Sequence, residues 1–207
     1  FGSSCIYPKM AKQPIKESEL LSGPLEPTNS AYAVAKIAGY SLCEALKVQH
    51  GFNYVALMPT NLYGPNDNYS PIASHVIPGL IAKLHAAKTK GEPTYSCWGT
   101  GSALREFLYS DDLADAAICL ADMSEVSGLV NVGYGSDVSI RELVYKVAKV
   151  VGYKGEIVWD ASKPDGTPRK ILDSSRLRNL VPWTPKVSLD IGLPMAYQDF
   201  LAKSLRT

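Results

Sequence analysis

The sequence predicts an α/β protein that contains the C-terminal part of a doubly wound parallel sheet and a smaller α+β lobe. Short apolar runs rich in β-forming residues, such as Phe52–Leu57 (FNYVAL), alternate with amphipathic helical stretches through the first half of the chain. Turn-rich polar loops follow these runs, as they do at the carboxyl ends of strands in doubly wound sheets. The C-terminal third mixes helices and strands less regularly, which indicates the smaller lobe.

The composition is that of an ordinary globular protein. The 207 residues carry a net charge of +1 and a hydrophobic fraction of 46%, which gives no electrostatic case for a nucleic-acid or membrane-surface partner. No apolar run approaches the ~20 residues that a membrane-spanning helix needs. The four cysteines, Cys5, Cys43, Cys97 and Cys119, form no CxxC pair. We therefore expect free thiols, a reducing cytoplasmic setting and no metal site.

A long helix is predicted between Asn29 and Gly51. Asn29 or Ser30 provides a polar N-cap, and Gly51 ends the helix. Tyr32 and Lys36 lie four residues apart, so both side chains leave from one face. An ammonium beside a phenol favours the phenolate, which suits a tyrosine to acid–base work near neutral pH. Such a pair also occurs by chance on many helices.

The segment before this helix reads as the end of a buried strand, Phe1–Pro8, running into a loop that carries Ser3 and Cys5. A chain seldom begins at such a point, so we expect an N-terminal portion to precede it. Ser3 is suited to binding a substrate hydroxyl or the Tyr32 phenol, or simply belongs to a Ser-rich turn. The long irregular segment 9–28 is of a kind that is often functional.

Polar side chains also follow the strand Phe52–Leu57. The loop Met58–Pro65 (MPTNLYGP) offers Thr60 and Asn61 at this carboxyl end. A helix is then predicted over His75–Thr89, with Pro78 in its first turn and an apolar stripe of Val76, Leu80, Ile81 and Leu84. His75 is either a surface or capping residue or a functional one, and Lys83 and His85 either contact an anionic ligand or are solvated.

The rest of the chain continues the alternation. Ser110 is predicted to cap the helix after the strand Leu104–Tyr109, and Ser139 with Glu142 forms a capping box. Arg105 could pair with the acidic residues that follow it or bind a diphosphate. The remaining predicted elements are the strands Thr94–Gly99, Gly128–Gly135 and Glu156–Trp159, the loop Ala161–Lys170, and the helices Ser174–Leu180 and Leu189–Ser204.

Several motifs together resemble the extended short-chain dehydrogenase/reductase family, over essentially the whole chain. They are FGSSCIYP, YAVAK, PTNLYGPNDNYSP, SHVIPGL, WGTGSALREFLYSDDLADA and KPDGTPRK. YxxxK marks the superfamily, whereas the order of the others is similar to members that epimerise a GDP-4-keto-6-deoxy sugar at C3 and C5 and reduce it at C4 with NADPH. The resemblance implies a partial, Rossmann-like NADP-binding domain over 1–62 and 108–134. The GDP-sugar-binding lobe is then 63–107 and 135–207.

The resemblance also implies roles for single residues. Ser3, Tyr32 and Lys36 match the catalytic triad of the C4 reduction, and Cys5 and His75 match the pair assigned to epimerisation, with the acid and the base of that pair left open. Cofactor contacts fall on Ser3, Ser4, Tyr32, Lys36, Pro59, Thr60, Asn61, Leu62 and His75. Substrate contacts fall on Lys83, Trp98, Arg105 and Asp165.

The family's Gly-rich dinucleotide fingerprint is expected ahead of Phe1. The stretches GTG at 99–101 and GYG at 133–135 lack the strand–turn–helix context of that fingerprint. We therefore expect activity from the longer protein and little from this chain alone. The sequence does not decide whether the cofactor is NADPH or NADH. The family also implies a homodimer through the YxxxK helix, to which Ile37, Tyr40, Leu42 and Leu46 could contribute, although the same residues suit an internal core.

Two other functions remain open at this point. One is a 4-epimerase or 4,6-dehydratase for another nucleoside-diphosphate sugar, which keeps the tyrosine and lysine but does not need the Cys5–His75 pair. The other is a protein that binds a nucleotide sugar without catalysis.

Overall fold

The computed structural model describes residues 1–70, 73–123 and 126–204. In this part of the chain the helices are α1 Ser30–His50, α2 Val76–Lys90, α3 Ser110–Ala121, α4 Ile140–Val151, α5 Ser175–Leu180 and α6 Leu189–Ser204. The strands are β1 Ala56–Pro59, β2 Asn61–Tyr63, β3 Thr94–Trp98, β4 Leu104–Arg105, β5 Phe107–Tyr109, β6 Leu129–Val132, β7 Val138–Ser139, β8 Glu156–Asp160 and β9 Arg169–Lys170. Short 3₁₀ turns lie at Ser4–Ile6, Glu17–Glu19 and Pro27–Asn29. No helix among these residues is long and apolar enough to cross a bilayer.

The chain divides into two compact units that interleave in sequence. The first comprises 1–62, 106–137 and 169–186, and the second comprises 63–105, 138–168 and 187–207. The division predicted from sequence differs from this in placing 106–107, 135–137 and 169–186 in the second lobe. Segment 169–186 belongs to the first unit because Leu172 bridges to Ile15 and because Leu177 is buried in that unit's core.

The first unit is built on two parallel strands. β1 pairs with β6 in a register that sets Ala56 against Leu129 and Pro59 against Val132. All four residues of β6 are buried, as expected of a parallel strand covered on both faces. Side chains from β1, β5, α3, β6, α5 and the loops next to them form one core there: Leu57, Leu108, Leu113, Ala116, Leu120, Val126, Val130, Val132, Leu177, Val181 and Trp183.

Helix α1 lies beside a second apolar cluster of the first unit, formed by Ile6, Tyr7, Ala11, Ile15, Met58, Leu129 and Leu172. The helix ends as predicted at Gly51, whose φ of 67° is the left-handed conformation that glycine adopts without strain. Ile37 and Tyr40 pack, half-buried, against the cluster, whereas Leu42 is 60% exposed. Two of the four residues predicted for a dimer face therefore serve the unit's own core.

The second unit joins a parallel strand pair to three helices. β3 pairs with β8, from Thr94 against Glu156 to Trp98 against Asp160, and α4 packs against both α2 and α6. The predicted capping box is present: the Ser139 hydroxyl accepts from the Glu142 N–H, and the Glu142 carboxylate accepts from the Ser139 N–H. The four parallel strands with surrounding helices agree with the predicted α/β class.

Several predicted strand boundaries were wrong. Phe1–Pro8 contains no strand but a 3₁₀ turn, and the strand placed at Phe52–Leu57 begins only at Ala56 and continues to Pro59. The predicted loop Met58–Pro65 contains β2, and Leu104–Tyr109 is two strands interrupted at Glu106. At this position the Glu106 carbonyl accepts from the side chains of Thr60 and Asn61.

Two predicted caps and one apolar position also need correction. Ser110 is the first residue of α3 and makes no capping bond, and Asn29 precedes α1 without a side-chain cap because its amide is directed to Cys5. On α2, Val76 is 45% exposed, whereas Ile77, Ile81 and Leu84 are buried. The buried stripe therefore lies one position beyond the predicted start.

Candidate active site

Ser3 and Cys5 share one tight turn in the first unit. The Cys5 N–H donates to Ser3 Oγ at 3.2 Å, which caps the short helix Ser4–Ile6. The Gly2 N–H donates to the Leu57 carbonyl at 2.9 Å and fixes the turn against β1. A side chain at Gly2 would run into the end of the buried Met58 side chain, which would then have to shift. The Ser3 hydroxyl retains its own proton for a ligand.

The sulfur of Cys5 receives two donors from other parts of the same unit. Asn29 Nδ2 lies 3.3 Å from Cys5 Sγ, and Lys170 Nζ lies 3.6 Å from it. Neither contact was predicted. The sequence placed Asn29 as a helix cap and Lys170 in a loop, and no local pattern links either residue to the thiol.

Tyr32 and Lys36 form the pair that the helix spacing predicted. Lys36 Nζ lies 5.7 Å from the centroid of the Tyr32 ring and donates to the Phe1 carbonyl at 3.1 Å. Tyr32 is 49% exposed, and its hydroxyl makes no hydrogen bond, to Ser3 or otherwise, within the described ranges. One of the three donors of the Lys36 ammonium is used internally, which leaves the others for a ligand.

The segment Pro59–Leu62 is held from within by Glu106, the residue between β4 and β5. Thr60 Oγ1 and Asn61 Nδ2 both donate to the Glu106 carbonyl, at 3.2 Å and 2.8 Å. The Thr60 N–H donates to the Val132 carbonyl. These two side chains therefore fix the segment, so a ligand would meet its backbone and the Asn61 amide oxygen.

Glu106 is a buried polar residue that sequence reasoning missed. Its carboxylate accepts from the backbone N–H groups of Gly135 at 2.7 Å and Leu172 at 3.0 Å. Burial is the largest influence and raises the pKa of Glu106 above its ordinary value, although these hydrogen bonds act in the opposite direction. The burial of Glu106 could have been predicted from its position between Leu104 and Leu108, because alternate residues of a strand face the same side.

In the second unit Asp165 holds the turn after β3. Its Oδ1 accepts from the Thr100 N–H at 2.7 Å and the Gly101 N–H at 3.3 Å, and its Oδ2 accepts from the Thr100 hydroxyl at 2.8 Å. The hydrogen bonds from Thr100 lower the pKa of Asp165. Gly99 and Gly101 both have positive φ, which allows the backbone to close around the carboxylate.

The other predicted substrate residues of the second unit differ in exposure. Trp98 is 76% exposed, with Lys163 Nζ 5.9 Å from its ring centroid. Arg105 is half-buried, and its Nη1 donates to the Leu104 carbonyl at 2.8 Å. Burial lowers the pKa of Arg105 from its ordinary value. Lys83 is exposed on α2.

The two histidines of α2 have different environments. His75 is exposed at the N-cap position, and its carbonyl accepts from the Gly79 N–H. His85 Nδ1 lies 2.9 Å from the Tyr197 hydroxyl, and its ring packs edge-on against Phe200. Burial lowers the pKa of His85. His85 therefore links α2 to α6, and its contact with an anionic ligand stays a prediction.

Neither glycine-dense stretch offers open backbone amides for a pyrophosphate. The Gly101 N–H is taken by Asp165, the Gly133 N–H by Ser174, and the Gly135 N–H by Glu106. The residues suited to a dinucleotide in the first unit are instead Tyr32 and Lys36, which keep an exposed hydroxyl and spare ammonium protons. They fit the nicotinamide–ribose end of such a cofactor.

The parallel strands, the YxxxK helix and the polar turn beside it are features of a dinucleotide-binding α/β protein. The model of the NAD dependent epimerase/dehydratase family matches residues 1–133, and the chain belongs to this family.

Two curated proteins and one solved structure are similar to nearly the whole of this chain. A protein of Oryza sativa subsp. japonica named "Probable GDP-L-fucose synthase 1" is 59% identical over 199 residues, covering 95% of this chain and 60% of the relative. GDP-L-fucose synthase 1 of Arabidopsis thaliana is 57% identical, covering 97% and 62%. A GDP-L-fucose synthetase of Naegleria fowleri, solved bound to NADP, has a TM-score of 0.90 at 28% identity, covering 99% and 65%. The chain thus spans less than two thirds of these relatives' length.

Proposed function

We propose that this chain is the catalytic and substrate-binding part of a GDP-L-fucose synthase. The whole protein would epimerise GDP-4-keto-6-deoxy-D-mannose at C3 and C5 and reduce it at C4 with NADPH. The observation that carries the proposal is the first unit's cluster, in which Lys36 lies against the Tyr32 ring while Ser3 and Cys5 share the adjoining turn. The names of the relatives, and the NADP bound to one of them, support the same reaction.

For the reduction, Tyr32 delivers the proton and Ser3 and Lys36 assist. When bound, NADPH supplies the hydride that goes to C4. The Tyr32 hydroxyl gives its proton to the C4 oxygen, and the Ser3 hydroxyl donates to the same oxygen. The Lys36 ammonium favours the phenolate left behind and binds the nicotinamide ribose, beside backbone supplied by Ser4 and Pro59–Leu62.

For the epimerisation, Cys5 and His75 exchange protons with the sugar. The 4-keto group acidifies the C–H bonds at C3 and C5, so one residue removes a proton and the other returns one to the opposite face. A thiol and an imidazole are suited to this because both titrate within a few pH units of neutrality.

The substrate's nucleotide is assigned to side chains of the second unit. Lys83 and Arg105 supply positive charge for the diphosphate. Trp98 offers an exposed ring, and Asp165 lies near the nucleoside. Asp165 already binds the 99–101 turn, so part of its contribution is to hold that turn in place.

The test uses the whole protein, at its relatives' length, with GDP-4-keto-6-deoxymannose and NADPH. We expect NADPH oxidation and formation of GDP-L-fucose. Binding of the nucleotide sugar without NADPH oxidation would instead favour a non-catalytic binding protein. A Cys5→Ser variant separates the remaining alternative, because unaltered turnover of this substrate would favour a 4-epimerase or dehydratase.

The compartment and assembly belong to the same proposal. All four cysteines are free thiols, which suits the reducing cytoplasm. The exposed apolar side chains Val34, Leu42 and Val48 of α1 suit a homodimer through this helix. Sedimentation of the whole protein tests the dimer, and a monomer at micromolar concentration would contradict it.

A further inference from the structure

Two donors from distant parts of the chain converge on the Cys5 sulfur. Asn29 Nδ2 lies at 3.3 Å and Lys170 Nζ at 3.6 Å, and both Cys5 and Lys170 are half-buried. A neutral thiol is a weak hydrogen-bond acceptor, whereas a thiolate is a strong one. Two donors, one of them a cation, are the surroundings expected for a sulfur that carries negative charge.

The residues on both sides of Lys170 are held by an ion pair and by hydrogen bonds. Arg169 Nε pairs with Asp137 Oδ2 at 2.5 Å. Beyond Lys170, the Ile171 N–H donates to Gln13 Oε1 at 2.9 Å and the Leu172 N–H donates to Glu106. Successive side chains of a strand point to opposite faces, so Arg169 turns to Asp137 while Lys170 turns to Cys5.

The other groups near Cys5 are neutral or already engaged. Ser3 and Asn29 are uncharged. Tyr32 and Lys36 come from α1, which packs on the Ser4–Ile6 turn, and Lys36 is bonded to the Phe1 carbonyl. Within the described residues, Lys170 is the charged side chain in contact with this sulfur.

We infer that Lys170, assisted by Asn29, is a positioning residue for the epimerisation, an inference that rests on the proposed function. Its ammonium stabilises the Cys5 thiolate and holds the sulfur in one orientation. The thiolate exists at one stage in either role of Cys5. As a base it takes a proton from C3 or C5 and becomes the thiol; as an acid it gives its proton to that carbon and becomes the thiolate.

The first test measures the reactivity of Cys5 in the whole protein. Iodoacetamide alkylation of the Cys5 peptide is followed by mass spectrometry across pH, with the exposed Cys119 as internal reference. Lys170→Met is expected to slow alkylation of Cys5 at pH 7 about three- to ten-fold and to move its pH profile upward, because the stabilising cation is gone. Lys170→Arg retains the wild-type profile, and the exposed Lys12→Met serves as the matched control. A Lys170→Met profile that superimposes on wild type overturns the inference.

The second test separates this inference from the proposed function. Incorporation of solvent deuterium at C3 and C5 of the substrate reports epimerisation independently of NADPH oxidation. Lys170→Met is expected to lower kcat for this exchange about ten-fold with little change in KM, and Lys170→Arg is expected to restore it. A wild-type protein without exchange or NADPH oxidation refutes the proposed function. An active wild type whose Lys170→Met variant exchanges at full rate refutes the role of Lys170. Lys170→Gln replaces Lys170→Met if the latter does not fold.

Discussion

The carboxylate of Glu106 accepts a hydrogen bond from the backbone N–H of Leu172, with 3.0 Å between Oε2 and nitrogen. Its Oε1 accepts from the Gly135 N–H, so one fully buried side chain connects three segments of the first unit. The Leu172 N–H is buried and would lose its partner if this carboxylate were removed. The stability of the unit should therefore depend on Glu106.

Glu106→Gln is expected to lower the free energy of unfolding by about 1–3 kcal/mol, because one of the two N–H groups then faces an amide donor. Urea unfolding followed by tryptophan fluorescence measures the loss. The exposed Glu156→Gln is the matched control and should stay near wild type. A stability of Glu106→Gln equal to that control would contradict the role assigned to this carboxylate.

The same pair of proteins should show a pH dependence of known sign. Burial raises the pKa of Glu106 in the folded state above its unfolded value, so the folded protein binds the proton more tightly. Between these two pKa values the folded state carries more protons, and wild-type stability falls as pH rises relative to Glu106→Gln. Denaturant midpoints from about pH 4 upward test this. If the stability of wild type relative to Glu106→Gln instead grew with pH, the hydrogen bonds would have a larger effect on the pKa of Glu106 than burial has.

Ser139→Ala is expected to lower the free energy of unfolding by about 1 kcal/mol, since it removes one half of the capping box of α4. Ser110→Ala provides the control, because Ser110 begins α3 without a capping bond. This variant should lower the free energy of unfolding by less than about 0.5 kcal/mol. Chemical denaturation of both variants decides the matter. Equal losses of stability in the two variants would mean that the capping box stabilises the protein no more than a surface serine without a capping bond does.

Asp165 and Thr100 should act as one unit in nucleotide binding. Asp165→Asn and Thr100→Val each loosen the 99–101 turn, and both are expected to weaken GDP binding about three- to ten-fold by calorimetry on the whole protein. Thr94→Val, at an exposed position of β3, is the control. If Thr100→Val binds GDP as wild type while Asp165→Asn does not, the carboxylate contacts the nucleoside directly.

Tyr32→Phe is expected to lower kcat for NADPH oxidation at least about 100-fold, because the C4 oxygen loses its proton donor. Solvent deuterium exchange at C3 and C5 should continue, since it depends on other groups. Tyr145→Phe is a matched control, as both tyrosines are 49% exposed. Retained NADPH oxidation in Tyr32→Phe would remove this tyrosine from the proposed mechanism.

The helices were predictable because their signals are local. The C-cap at Gly51 and the capping box at Ser139 depend on residues within one or two turns of each other. The spacing of Tyr32 and Lys36 likewise fixes their proximity on α1.

The features that sequence reasoning missed are contacts between distant segments. Asn29 has the side chain of a good N-cap, yet its amide is used on Cys5, and this competition is decided by tertiary placement. The same holds for Lys170, whose partner lies near the other end of the chain, and for Glu106, whose two backbone partners follow well after it. Local pattern carries no information about such pairings.

The parallel pair of β1 and β6 has a consequence for biosynthesis. Ala56 meets Leu129 only after the 63–105 segment of the second unit has been made, and Leu177 joins the same core later still. Pairings between segments so far apart require costly loop closure and form slowly. During translation the apolar strand β1 must therefore wait with its edge unpaired. Yield in the cell should depend on chaperones that shield nascent chains, more than for a protein whose strands pair with their immediate neighbours.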